Sequence, residues 1–358
     1  MNPRLFIQEV LHSSAGRESP GRKALLFPLF LLSLPYALIM RWRRGLYRRG
    51  ILRSSALPCP VVSVGNITLG GTGKTPMVIY LAQLLQRRGL RAVVLSRGYR
   101  SQSRDAVAVV SDGTRVLLGA REAGDEPAML ARAMPGTPVI IGRDRVRSGS
   151  LACARFSPDV ILLDDGFQHL RLRRNADIVL VDRNVGFGNG CLIPRGILRE
   201  PLSALHAADL IVLTKKTGES RPHPAERLIA ARNPRAPLFS AGYAVRGLTA
   251  LDGSPAGDLQ GLAGKNVLAV AGIGNPGYFI HLLRSNGVRI ADEMILPDHH
   301  RYTGEDAGRL TARLPGIDCI ITTAKDGCKM AGAGFHHLPV LVLDIMVEMD
   351  DEPGFINA

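Results

Sequence analysis

The chain has 358 residues, too many for one ordinary hydrophobic core and enough for two domains. With 46% hydrophobic and 21% charged residues it is globular, which excludes a disordered chain. Its five cysteines, Cys59, Cys153, Cys191, Cys319 and Cys328, show neither CxxC nor paired-ligand spacing, so they imply a reduced cytosolic setting without a cysteine metal site.

The net charge of +14 is concentrated at one end. Residues 1–55 hold ten Lys or Arg (Arg4, Arg17, Arg22, Lys23, Arg41, Arg43, Arg44, Arg48, Arg49 and Arg53) against Glu9 and Glu18. The cations border the apolar run Ala24 to Met40 and do not interleave with stacking aromatics, which argues against a nucleic-acid partner. A helix over that run reaches about 25 Å against roughly 30 Å of hydrocarbon, and Pro28 and Pro35 each disrupt it. The expectation is a helix lying in the membrane interface, its arginines meeting anionic headgroups. A signal peptide fits poorly, because the run begins late and lacks a small-x-small cleavage site. A buried helix is the plainer alternative, and the arginine crowd at one end argues against it.

From Val61 the chain alternates short β-branched runs with helical stretches, the pattern of a parallel sheet with helices on both faces. Strands are expected at 61–64, 92–96, 139–141, 160–163, 178–181 and 210–213. Directly after the first comes Thr68-Leu69-Gly70-Gly71-Thr72-Gly73-Lys74-Thr75, followed by a helical stretch from Met77 to Arg87. Strand, glycine-rich turn, Lys-Thr pair and helix make a phosphate cradle of the P-loop NTPase type, which implies a nucleoside triphosphate. Gly70, Gly71 and Gly73 let the loop curl with its N–H groups inward, Thr72 lies among them, Lys74 neutralises the β and γ phosphates, and the Thr75 hydroxyl serves a magnesium ion. The strict pattern has glycine where this chain has Thr68, a departure that leaves the mechanism intact.

Two aspartates, Asp164 and Asp165, close the fourth strand. Carboxylates at a strand end suit the shell of a hard cation such as Mg2+. Neighbours on an extended backbone point to opposite sides, so the two should have different partners. Gly124-Asp125-Glu126-Pro127 opens a helix expected over 128–133; Asp125 reads equally as an N-cap or as the base that a phosphoryl transfer to a hydroxyl needs. Asp298-His299-His300 is the other cluster able to serve. Arg97, after the second strand, and Arg195 and Arg199, after the glycine-rich loop 186–190, can clamp phosphate of the nucleotide or of an anionic acceptor.

Residues 216–265 are rich in Pro, Arg, Gly and Ala and break the pattern, with possible linker strands at 243–245 and 248–251. A second, smaller α/β domain follows, with strands at 267–271, 319–322 and 340–343 and a helix at 278–286. The expected division is a membrane-associating segment 1–55, a nucleotide-binding domain 56–240 and a C-terminal domain 241–358. The Gly272-x-Gly274 turn lacks a third glycine at the dinucleotide spacing.

Several of these motifs together resemble the tetraacyldisaccharide 4'-kinase family. They are Val64-Gly65-Asn66 with Gly70 to Pro76, Ser96-Arg97-Gly98-Tyr99, Ala123-Gly124-Asp125-Glu126-Pro127, Asp164-Asp165-Gly166-Phe167-Gln168-His169, Phe187-Gly188-Asn189-Gly190, Leu198-Arg199-Glu200, Ala271 to Pro276, Asp298-His299 and Thr323-Ala324-Lys325-Asp326. The resemblance implies transfer of the ATP γ-phosphate to the 4'-hydroxyl of a tetraacylated glucosamine disaccharide 1-phosphate, with Mg2+, at the cytoplasmic face of the bacterial inner membrane. It implies catalytic roles for Lys74 and for Asp125 paired with His299, with His300 beside it; an acylated disaccharide and an anionic membrane surface as partners; and no obligate protein partner. The alternative from another class is a membrane-anchored P-loop switch protein, which has no use for a carboxylate and an imidazole beyond the cradle.

Overall fold

The structure, a computed structural model, describes residues 20–358 except 100, 104 and 217–222. Arg4, Arg17 and the rest of the first nineteen residues of the basic segment lie outside the described residues, as do the side chains of Arg22 and Lys23 and part of the break at 216–265.

The first element is a single helix, Pro20–Arg48, that continues through both Pro28 and Pro35. At 29 residues it spans about 43 Å, so the expectation that the segment is too short to cross a bilayer is corrected: Ala24–Arg48 is long and apolar enough by length and composition. The two prolines are seven residues apart on the exposed face, which places both lost backbone bonds on the outer side of the helix. Leu26 and Ser33 are buried and Tyr36, Arg43, Arg44 and Tyr47 are half-buried at helical spacing, whereas Leu25, Phe27, Leu31, Leu32, Leu38, Ile39 and Trp42 stand exposed.

Among the described residues the strands are, in chain order, β1 (Val61–Gly65), β2 (Ala92–Ser96), β3 (Val107–Ser111), β4 (Val139–Gly142), β5 (Val160–Asp164), β6 (Ala176–Asp182), β7 (Leu210–Thr214), β8 (Leu238–Ala250), β9 (Val267–Ala271), β10 (Ile290–Ile295), β11 (Cys319–Thr323) and β12 (Val340–Met349). The chain forms two compact units that interleave in sequence. One takes residues up to Lys74, Val160–Gly242 and Met349–Ala358; the other takes Thr75–Asp159 and Tyr243–Glu348.

In the first unit β5, β1, β6, β7 and the start of β8 pair in that order, all parallel. Their buried Val, Ile and Leu runs are the mark of strands covered on both faces. One core cluster packs Val179, Val181, Ile211 and Leu213 against Phe167, Leu198, Leu205 and Ile229. β1 leads into the cradle, and the carboxyl ends of β5, β6 and β7 stand alongside it in register, where open parallel sheets place their ligands.

In the second unit β2 pairs in parallel with β4, and β3 adds an antiparallel edge. A further parallel set runs β10, β9, β11, β12. Its alternation makes a core on each face: Val267, Ala269, Ala271 and Ile321 pack with Phe279 and Leu283, while Leu268, Val270, Ile320 and Val342 pack with Leu310, Met330 and Phe335. The helix Ala324–Gly332 also packs against the helix Asp125–Ala133, joining elements two hundred residues apart. Three strands differ from expectation. β3 and β10 were not foreseen, being edge strands with partly exposed residues, and the two linker strands are one continuous β8.

Candidate active site

The first unit carries the cradle loop as far as Lys74. Gly70 and Gly73 adopt left-handed φ values of 105° and 85°; Gly71 does not, so only two of the three glycines are needed for the curl. The loop is held from outside. Asn66, fully buried at the end of β1, donates from Nδ2 to Thr72 Oγ1 at 3.0 Å. Thr214 Oγ1 donates to the Thr72 carbonyl at 2.8 Å, and Lys215 Nζ to the Gly71 carbonyl at 2.6 Å. These bonds pull on the Gly71 and Thr72 carbonyls, while the Thr72 N–H donates within the loop to the Gly70 carbonyl at 3.2 Å. Lys215 is itself anchored in a buried ion pair with Asp182 Oδ2 at 2.5 Å. Lys74 begins the helix Lys74–Arg87, and Thr75 follows it in the first turn, as the motif predicts.

Asp164 ends β5 opposite Val64 of β1 and is buried, whereas Asp165 follows in the left-handed region, φ 53°. The two side chains differ in exposure, Asp164 at 2% and Asp165 at 31%, and Asp165 stands in a turn and not on the pleat of an extended strand. Asp165 accepts from Arg199 Nη1 at 2.9 Å and Nη2 at 3.2 Å, and its Oδ1 lies 3.6 Å from Lys74 Nζ. Arg199 also reaches Asn66 Oδ1 at 3.2 Å. Lys74, Arg199 and Asp165 therefore form one charge cluster beside the cradle. The carboxylates of Asp164 and Asp165 are of the chemistry that suits Mg2+, which takes one or two carboxylates and completes its shell with phosphate and water. No cluster of three or more His, Cys, Asp or Glu forms a dedicated metal cage among the described residues.

The helix Pro20–Arg48 is bolted to the same cluster. Tyr36 Oη donates to the Arg199 carbonyl at 2.9 Å, Arg43 donates to the Gln168 carbonyl at 3.0 Å, and Arg44 pairs with buried Glu200 while its guanidinium lies 4.3 Å from the Phe167 ring centroid. An open cavity of about 320 Å3 lies between this helix, at Phe30, Ser33, Leu34, Leu38 and Arg41, and the Gly190-Cys191-Leu192 loop.

The second unit brings Asp125 and His299 together across 174 positions of sequence, Nδ1 to Oδ2 at 3.3 Å, with side chains about one-fifth exposed. The N-cap of the helix is Gly124, not Asp125, which is the first helical residue. Gly124 has φ 94°, and a Cβ there would meet the Tyr99 carbonyl oxygen at 2.5 Å, so glycine lets the Ser96-Arg97-Gly98-Tyr99 turn close over the helix start. The Tyr99 ring in turn lies 5.5 Å from that of His299. His299 has φ 60°, uncommon for a residue with a Cβ, and its N–H donates to Asp298 Oδ1 at 2.9 Å. His300 points elsewhere: its Nε2 contacts Asp306 Oδ2 at 3.0 Å, and Asp306 caps the helix Gly304–Thr311 through the Thr303 N–H. Burial works against the charged form of Asp125, but the His299 hydrogen bond and the ammonium groups of Lys329 and Lys325 outweigh it and hold this carboxyl below its ordinary value. Arg97 is exposed at the end of β2, and Arg195 is buried.

Sequence reasoning did not assign roles to Thr214, Lys215 or Lys325. The first two have a visible signal, a Thr-Lys pair at the carboxyl end of a strand on the cradle's side of the sheet. Lys325 Nζ stands 3.4 Å from His299 Nε2, 3.2 Å from Asp298 Oδ1 and 3.6 Å from Glu126 Oε1.

Residues 24–358 match the family model described as tetraacyldisaccharide-1-P 4'-kinase. The chain is 44% identical over 330 residues to the tetraacyldisaccharide 4'-kinase of Geobacter metallireducens, covering 90% of this chain and 95% of that protein. It is 41% identical over 367 residues to that of Syntrophus aciditrophicus, covering 99% and 97%. A crystal structure of LpxK from Aquifex aeolicus in complex with ATP superposes with a TM-score of 0.76 at 32% identity, covering 93% of this chain and 98% of that one.

Proposed function

The chain belongs to the tetraacyldisaccharide 4'-kinase family and transfers the γ-phosphate of ATP, with Mg2+, to the 4'-hydroxyl of a tetraacylated glucosamine disaccharide 1-phosphate in lipid A biosynthesis; within that activity we propose the following division of roles. Family membership also decides against the switch protein that the sequence left as an alternative.

Gly70 to Thr75 hold the triphosphate, Lys74 and Arg199 neutralise its charge, and Thr75, Asp164 and Asp165 hold Mg2+, which screens the phosphate oxygens when bound. Asp125, oriented by His299, accepts the proton of the 4'-hydroxyl. The observation that supports this most directly is the 3.3 Å contact between Asp125 and His299, made from two distant motifs and set on a fixed helix start. Arg97 stands as a further phosphate contact on its motif alone.

The protein is membrane-associated. For its placement, the docked face of the helix Pro20–Arg48 and its exposed apolar face support a helix lying in the interface at the cytoplasmic side, where ATP is available. A lipid with four chains leaves the bilayer at a cost of about 0.8 kcal/mol per methylene, so the enzyme has to meet its substrate at the surface. The cavity beside Phe30 and Leu38 suits an acyl chain at that boundary.

The experiment is a radiolabelled-ATP assay on the disaccharide in mixed micelles, with and without Mg2+, on the wild type, Lys74→Ala and Asp125→Ala. Both variants should lose transfer, and Asp125→Ala should still bind Mg-ATP because it acts on the acceptor. Near-normal turnover by Asp125→Ala would make the base assignment wrong.

A further inference from the structure

We propose that Lys325 is a positioning residue that fixes the tautomer of His299, and thereby makes Asp125, not the imidazole, the group that takes the acceptor's proton. This rests on the reading that Asp125 and His299 act on the acceptor hydroxyl.

An ammonium group has three donors and no acceptor, so the ring nitrogen it faces at contact distance has to offer a lone pair. Lys325 Nζ is 3.4 Å from Nε2 of His299, which puts the single proton of the neutral ring on Nδ1. Nδ1 is the atom 3.3 Å from Asp125 Oδ2, and an ionised carboxylate only accepts. Both contacts are attractive in this tautomer. In the other, an N–H would face an ammonium and a lone pair would face a carboxylate, so both would be repulsive.

Asp298 is the group that opposes this arrangement, since a carboxylate near Nε2 favours a proton there. Its Oδ2 is 3.8 Å away, farther than Lys325, and it is already engaged through Oδ1 by the His299 N–H and by Lys325 itself. Lys325 is held in place. Its side chain is 15% exposed, lies between Asp298 and Glu126, and sits in the first turn of the helix Ala324–Gly332. The next residue, Asp326, is fully buried and tied to the Gly272 N–H at 2.8 Å and the Thr323 hydroxyl at 2.9 Å, so the turn that carries Lys325 is fixed.

The roles are then reversed relative to a serine hydrolase, in which the carboxylate orients the ring and Nε2 takes the proton. Here Nε2 is occupied by Lys325. As the sugar oxygen bonds to the γ-phosphorus, its proton passes to the Asp125 carboxylate, and the bond from that phosphorus to the bridging oxygen breaks with its electron pair leaving on ADP.

Histidine-selective 15N labelling of the full-length protein reads the tautomer directly, with the His299 signals identified by their loss in His299→Gln. At a pH where the ring is neutral, the wild type should show a protonated Nδ1 and a bare Nε2. Lys325→Met should move the proton toward Nε2 and lower kcat by about tenfold to a hundredfold, with KM for Mg-ATP and for the disaccharide within about twofold; Lys325→Arg should restore most of the rate. A wild-type ring protonated on Nε2 overturns the proposal even if Lys325→Met fails to fold, and so does an unchanged tautomer in that variant. Turnover surviving in Asp125→Asn would instead sink the reading beneath it, whatever the tautomer.

Discussion

Replacing Lys215 with methionine separates the stability of the first unit from the preorganisation of its cradle. Lys215 and Asp182 are each more than nine-tenths buried, and removing one partner of such a pair costs about 3–5 kcal/mol because the remaining charge is stranded. The lower end, about 3 kcal/mol, applies here because Asp182 still accepts from the Asn184 N–H at 2.9 Å. The lost bond to the Gly71 carbonyl, charge-assisted on the donor side, is worth about 1.5–3 kcal/mol, and part of it should appear as weaker nucleotide binding, on the order of tenfold. The double variant Lys215→Met with Asp182→Asn removes the stranded charge. It should regain most of the stability in urea unfolding, yet still bind a non-hydrolysable Mg-ATP analogue about tenfold more weakly by calorimetry. Wild-type affinity in the double variant would refute the idea that the outward pull on the loop carbonyls shapes the cradle. A single variant as stable as the wild type would refute the buried-pair argument.

Asp125, held below the ordinary carboxyl range, stays ionised from neutral pH down through the ordinary aspartate value, so its contribution to the fold is present above that value and is lost as pH falls through the depressed one. The acidic limb of kcat that it governs should therefore lie below the usual aspartate region, and His299→Gln should move that limb upward; a limb that does not move would remove His299 as the main stabiliser of the carboxylate. On the helix Pro20–Arg48, Leu32 and Ile39 are 59% and 60% exposed, and if this face inserts, changing both to serine should cost about 2–4 kcal/mol of apolar insertion. Flotation with anionic vesicles should show a loss of binding of at least about thirtyfold while Mg-ATP analogue binding is unchanged; unaltered flotation would mean that this face does not insert.

The parts legible in the sequence are those in which chemistry is contiguous. The cradle is one unbroken stretch, Gly70 to Thr75, and β1, β2, β5 and β7 are short apolar runs with turn residues behind them. Edge strands were harder: β10 reads Ile-Ala-Asp-Glu-Met-Ile, and its polar residues are tolerated because only one neighbour pairs with it. The helix Pro20–Arg48 is longer than its prolines suggest, because both lie on its exposed face. The partnership of Asp125 with His299 is invisible to spacing, since it brings the first turn of one helix against the turn that follows β10, from two distant segments of one unit; the motif resemblance supplied it. The same packing delivers Lys325, whose motif was recognisable but whose direction was not.

The links from Tyr36, Arg43 and Arg44 to Gln168, Arg199 and Glu200 leave no slack between the greasy helix and the wall of the cradle. A soluble domain on a floppy tether bobs and samples every height above a bilayer. With the helix in the membrane interface, as proposed, this mounting would work as a keel, setting the draught at which the phosphate-transferring end rides. A sugar headgroup arriving by lateral diffusion would then be met at one altitude, and the search for it would be confined to the plane of the membrane.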